Sequence, residues 1–137
     1  MTHDKVLTSR EQAYSYLKSD DEVHRQAARV WLALRNPGSV HLYEPPQRMA
    51  AGTDKRASIR YLVDLPGEII CDRDSQPVKL TDISDGGAKV IVQNMPKLGT
   101  TIILHIPLME AIVAMVVWIG SAAVGLSFIT QQSTFVA

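Results

Sequence analysis

Hydrophobic residues recur along this chain with two different periods, and the change of period divides it. From Val23 onward, Val23, Ala27, Val30, Trp31 and Leu34 return every three or four residues and make one apolar stripe, the signature of an amphipathic helix. Asn36-Pro37-Gly38 ends it. Thr8 with Glu11, and Ser19 with Glu22, have the spacing of capping boxes, in which side chains satisfy the free amides of a first turn, so two helix starts are expected within residues 8–35. Asp20, Asp21 and Glu22 suit the positive end of the second helix dipole. Beyond residue 58 the period becomes two. Ile59, Tyr61, Val63 and Leu65 fall at alternate positions, as do Val78 and Leu80, then Ala88, Val90 and Val92, then Ile102, Leu104, Ile106 and Leu108, then Val124, Leu126 and Phe128. Turn signals at Pro66-Gly67, Asp85-Gly86-Gly87, Asn94 to Pro96 and Gly120-Ser121 separate these runs. Many short strands with short turns predict an antiparallel barrel or sandwich.

One run departs from alternation. Residues 111–119, AIVAMVVWI, are apolar on both faces, so the outer face of that strand is expected to be covered. The helix at 20–35 is the nearest cover and a second copy of the chain the next. Residues 36–53 hold three prolines, two glycines and no sustained period, and read as a linker. The expected organisation is therefore a helical segment at 1–35, the linker, a β domain at 54–130 and a tail at 131–137.

Composition adds limits. A chain of 137 residues makes one ordinary domain with an appendage. Its 14 basic residues balance 14 acidic ones, and the balance holds in each part: seven against six in residues 1–50, seven against eight in 51–137. A nucleic-acid polymer as partner is not expected, because the β part has neither a basic excess nor aromatics interleaved with one. A single cysteine, Cys71, forms no internal disulfide and reads as a small packing residue in a reducing compartment. The start carries no secretory signal pattern, and the apolar stretch 102–119 is broken by His105, Pro107 and Glu110, so no membrane span and a cytoplasmic location are expected. The four histidines are scattered, none close in sequence to Ser84, and no nucleophile elbow or Walker loop is present, so neither a metal, a cofactor nor catalysis is expected.

Chemistry concentrates in two short elements. Lys55-Arg56-Ala57-Ser58-Ile59-Arg60 sets two arginines four apart where the linker meets the first strand. Their planar forks can clamp phosphate oxygens or the O6/N7 edge of guanine and can stack on a base. Asp82-Ile83-Ser84-Asp85-Gly86-Gly87 lies at a turn between strands. Asp82 and Ser84, two apart, are expected on one face of a strand, where a carboxylate can accept N1-H and N2-H of guanine. Gly86 and Gly87 are expected to allow positive φ and close approach of a ligand to the backbone.

In order and spacing these elements resemble the PilZ family, in which an RxxxR element precedes the first strand and a D/NxSxxG element follows about two dozen residues later. Arg56 and Arg60 match the first; Asp82, Ser84 and Gly87 match the second. Val116-Val117-Trp118-Ile119 and Val124 to Phe128 look like the closing strands of that family. The resemblance covers residues 54–130 and implies a mainly β fold: a six-stranded antiparallel barrel, here with an N-terminal α-helical extension. It implies cyclic di-GMP bound on the outer surface, with Arg56 and Arg60 on phosphate and guanine groups, Asp82 and Ser84 on a guanine edge, and Gly87 permitting the approach. Lys55 occupies the position that the family associates with binding one nucleotide or a stacked pair. The expected function is thus a receptor, not an enzyme, that signals by rearranging its N-terminal segment or an interface with an effector protein, with a homodimer as a further candidate assembly. The competing expectation is a PilZ-fold interaction module that needs no ligand.

Overall fold

In the computed structural model, which describes residues 6–35 and 60–129, the helical period resolves into α1, Arg10–Tyr16, and α2, Glu22–Arg35. Both helix starts differ by a residue or two from the capping-box spacing. Ser9 caps α1, its hydroxyl accepting from Gln12 N at 3.2 Å, while the Gln12 side chain reaches back to the amide and hydroxyl of Thr8 at 2.8 Å. The cap is thus Ser9, with Gln12 bonding back to Thr8, and not the pair Thr8 and Glu11. At α2 it is Asp21 whose carboxylate accepts from Val23 N at 2.8 Å, and Ser19 supports it by accepting from Asp21 N at 3.0 Å. Arg25 closes this start by donating to Ser19 O and pairing with Glu22, so it serves the cap and not an open solvated face.

The period-two part forms β1, Tyr61–Cys71; β2, Asp74–Ile83; β3, Gly87–Ile91; β4, Thr101–His105; β5, Ile112–Ile119; and β6, Ala123–Phe128. They close an antiparallel barrel in the order β1-β2-β3-β6-β5-β4. Closure leaves no unpaired sheet edge, and the inward residues, among them Leu65, Ile69, Leu80, Val90, Ile102, Leu104, Val116 and Val124, fill the interior. Cys71 packs partly buried against this core. The expected turn at Pro66-Gly67 is absent: β1 runs through it, Pro66 and Gly67 pairing with Lys79 and Val78. The chain reverses instead after Cys71, where Asp72 takes φ +56, a left-handed conformation that Asp tolerates. Gly67 is required there by proximity, since a Cβ would lie 2.8 Å from Leu80 Cδ1 and 2.9 Å from His105 O.

Three irregularities in register lie at β1 between Leu62 and Leu65, at β2 between Leu80 and Asp82, and at β5 between Val116 and Trp118. A bulge adds one residue to a strand and therefore reverses which face the later residues occupy. Leu80 points inward, and without the extra residue Thr81 so would Asp82; Val116 and Trp118 stand in the same relation across Val117.

Among the described residues, hydrogen bonds from Leu7, ahead of α1, and from Gln26 on α2 tie the helical segment to the barrel. Leu7 is buried and donates its amide to Leu108 O at 2.7 Å, Leu108 itself taking φ +68. The side-chain amide of Gln26 on α2 accepts from Asp64 N at 2.6 Å and donates to Asp64 O at 3.1 Å, pairing with the backbone of β1 where its bulge leaves that backbone without a β2 partner. The expectation that α2 covers the outer face of the 111–119 strand is therefore corrected. Its contact is with β1, which β4 separates from β5, and Met115, Val117, Trp118 and Ile119 remain exposed. No described helix is long and apolar enough to cross a membrane.

Candidate functional site

Register places one rank of residues across four neighbouring strands of the outer surface. Asp82 on β2 pairs with Lys89 on β3, Lys89 with Gly125 on β6, and Gly125 with Trp118 on β5. Three interstrand steps of about 4.8 Å make a track roughly 14 Å long. The bulges at Thr81 and Val117 put its two ends on this face.

At the first end Arg60, in the residue just before β1, donates from Nη1 to Asp82 Oδ1 at 2.9 Å. The carboxylate is buried, with 8% of the Asp82 side chain accessible, while the side chain of Arg60 is 43% accessible. One nitrogen of the Arg60 fork is engaged with the carboxylate. A buried carboxylate held this way keeps its position, and an anchored arginine presents its remaining donors with little further loss of freedom.

At the other end the indole of Trp118 lies against two glycines. A Cβ on Gly125 would come within 3.2 Å of Trp118 Cβ, and one on Gly120 within 2.5 Å of the far edge of the ring. Glycine at both positions is what lets the indole lie down on the sheet. Lys89 Nζ stands over the ring, 5.3 Å from its centroid. Arg60, Asp82, Ala88, Lys89, Val117, Trp118, Gly125 and Leu126 enclose a shallow depression of about 250 Å³. Sites that enclose a small ligand hold roughly 300–1,000 Å³, so a dinucleotide would lie along this surface and sink only part of itself into it.

The remaining residues of the second motif serve the turn. Ser84 is buried, its amide donates to Gly87 O at 2.8 Å, and its hydroxyl accepts from Gly86 N at 3.2 Å. It lies past the end of β2 and does not line the depression, so the expected shared strand face with Asp82 does not form. The positive φ expected at Gly86 and Gly87 does not occur. Among the described residues the left-handed glycine is Gly99, with φ +86; at Gly87 a Cβ would meet Leu126 O at 2.3 Å, so the close neighbour is the backbone of β6. Phe128 N donates to Gly86 O at 2.9 Å and ties the same turn to that strand. Lys55 and Arg56, together with the linker at 36–53, lie outside the described residues.

Of the residues expected from sequence, then, Arg60 and Asp82 meet directly, and Ser84 and Gly87 shape the turn that follows Asp82. Lys89, Trp118 and Gly125 belong to the same surface and were not singled out. A tryptophan followed by glycines two and seven residues later is a trace of it, though only the pairing of β5 with β6 shows what the glycines are for.

Such a surface combines cation, carboxylate acceptor and exposed aromatic face. It can take an anion at Arg60, accept two N-H donors at Asp82 and stack a planar base at Trp118. Residues 54–135, more than half of the chain, match the model of the PilZ domain. No curated protein matches the chain.

Proposed function

The chain belongs to the PilZ domain family, generally cyclic di-GMP-binding modules, and we propose that it is a cytoplasmic receptor for that dinucleotide, binding it along the outer rank from Asp82 to Trp118. The observation that carries this reading is the Arg60–Asp82 pair at one end of a four-strand track whose other end is an exposed indole. Cyclic di-GMP offers the matching parts: phosphate oxygens for an arginine fork, a guanine edge with N1-H and N2-H for a fixed carboxylate, and a second base to stack. Arg56 and Lys55 precede Arg60 closely enough in the chain to add further cations to the phosphates. Ser84 and Gly87 act by holding the turn that fixes Asp82. No catalytic step is assigned to the site.

The signal passes through β1. Arg60 lies four residues before Asp64, whose backbone is the docking point of Gln26. A ligand that draws Arg60 toward a phosphate bears on the bulged segment between them, and so on the seat of α2. Such coupling needs the ligand to bind one arrangement of that segment better than another. An effector protein would then read the position of α1 and α2.

Titration calorimetry with cyclic di-GMP tests the site. Wild type is expected to bind at micromolar ligand or tighter; Arg60→Ala and Asp82→Ala should each weaken binding at least ~10-fold, the loss of one charge-assisted contact. Trp118→Ala should lose a similar amount through stacking. Wild type that takes up no ligand defeats the proposal, and binding indifferent to all three substitutions defeats the site.

A second reading has an observation of its own. Ile103 on β4 and Met115 on β5 are exposed on the outer face, apolar side chains of the kind that partner proteins cover. A ligand-independent interaction module, or a homodimer formed there, would lose association on Met115→Glu while Arg60→Ala left it unchanged.

A further inference from the structure

We infer that Lys89 is a mobile ligand cation: its ammonium leaves the indole of Trp118 when a guanine base takes that face and transfers to a phosphate oxygen of the same dinucleotide. The inference rests on the cyclic di-GMP reading and adds a residue that neither the arginine motif nor the Asp-Ser-Gly motif contains.

Position is the first argument. Lys89 stands in the middle of the rank, with Asp82 on one side and Gly125, then Trp118, on the other. A ligand spanning from the carboxylate to the indole therefore passes over it. Gly125 carries no side chain of its own and the indole of Trp118 lies beside it, so Lys89 and the ring are neighbours on the face that such a ligand would cross.

Competition is the second. One side of the indole lies against the backbone at Gly125 and Gly120, where a Cβ would collide at Gly120 and be tight at Gly125. Lys89 Nζ, 5.3 Å from the ring centroid, stands over the ring that a base would stack on. Both cannot hold the same face. A cation over an exposed aromatic ring is weakly held compared with an ammonium hydrogen-bonded to a phosphate oxygen, so the exchange runs toward the phosphate once one is within reach. Lysine suits this more than arginine: a point charge on a flexible four-carbon stem reorients without a planar geometry to satisfy.

Charge is the third. Among the described residues lining the depression, Arg60 and Lys89 are the cations and Asp82 the carboxylate, and Arg60 is already paired with Asp82. Lys89 is the lining cation whose charge no lining carboxylate offsets. A dianionic ligand needs such a charge.

Lys89→Met keeps the length of the stem and removes the charge. With cyclic di-GMP it is expected to bind roughly ten-fold more weakly than wild type, the equivalent of one charged hydrogen bond, while Lys89→Arg stays within about three-fold. With guanosine, which has a base and no phosphate, the order reverses: Lys89→Met should quench Trp118 fluorescence at lower guanosine concentration than wild type, because the face is no longer contested. Trp118→Leu, with Trp31 retained, assigns the signal. If Lys89→Met binds cyclic di-GMP as tightly as wild type, or more tightly, the inference is wrong while the receptor reading stands. Lack of cyclic di-GMP binding by wild type removes the receptor reading and this inference together.

Discussion

Gly87 shows how a motif residue can be needed by the fold before any ligand arrives. The carbonyl of Leu126 sits where a Cβ would be, 2.3 Å away, and backbone has little room to yield. Gly87→Ala is expected to cost about 1–3 kcal/mol, in the range of overpacked interiors, read as a lower denaturant midpoint at unchanged slope. An unshifted midpoint would mean that β6 gives way freely. Asp82 and Ser84 divide their work in the same spirit. The carboxylate is aimed outward and braced by Arg60, whereas the hydroxyl is buried and occupied with the turn. The sequence made both legible as special positions, because carboxylate, hydroxyl and glycine at this spacing fit a turn next to a site. It could not separate the two roles, since both residues have the same parity and only the end of β2 at Ile83, which leaves Ser84 in the turn, distinguishes them.

At the scale of elements, the bulges decide the site. Three of the six strands carry one, and those at Thr81 and Val117 bring Asp82 and Trp118 to the outer surface. Alternation counts residues and is blind to an inserted one, which is why the strands were legible while the faces of these two residues were not. A different signal hid the continuation of β1 through Pro66-Gly67: the dipeptide reads as a turn, yet it sits inside a strand whose partners leave room only for a glycine at 67. The bulge in β1 also creates the seat for α2. Gln26→Ala should leave the Asp64 backbone without that partner; its amide is then expected to exchange with solvent about five- to ten-fold faster, corresponding to about 1 kcal/mol for the lost hydrogen bond. Amides of β3 and β6, whose ladders run to β2, to β5 and to each other, should exchange as before. Equal protection at Asp64 in the variant would show that α2 is held to the barrel by other contacts.

For the whole molecule, closure of the barrel makes a fixed floor under the track. The strands that carry Asp82, Lys89, Gly125 and Trp118 are adjacent and each is paired on both sides, so the rank cannot splay without breaking the ladder. A ligand that contacts all four strands should therefore bind only the folded barrel and stabilise it. At a free concentration one hundred times its Kd the gain is about 2.7 kcal/mol. Thermal unfolding of wild type should rise by several degrees in cyclic di-GMP and that of Asp82→Ala by far less at the same concentration. A melting temperature that the dinucleotide leaves unmoved in wild type would contradict binding across the strands.

By itself the sequence determined the class of fold, two helices followed by an all-β part, because hydrophobic period is a local property that burial enforces on every strand and helix. It also determined where the chemistry concentrates, since arginine forks and an Asp-Ser-Gly turn are legible as residue types at fixed spacing. What it left to the tertiary structure was everything that depends on neighbours distant in the chain. Closure set β3 beside β6 and β6 beside β5, and with that Lys89, Gly125 and Trp118 joined Asp82 in one rank. Closure likewise put β4 between β1 and β5, which left the apolar outer face of β5 away from α2. Pairing energy is spread over whole strands, so the choice of neighbour and the position of each bulge belong to the assembled barrel and to no single segment of the chain.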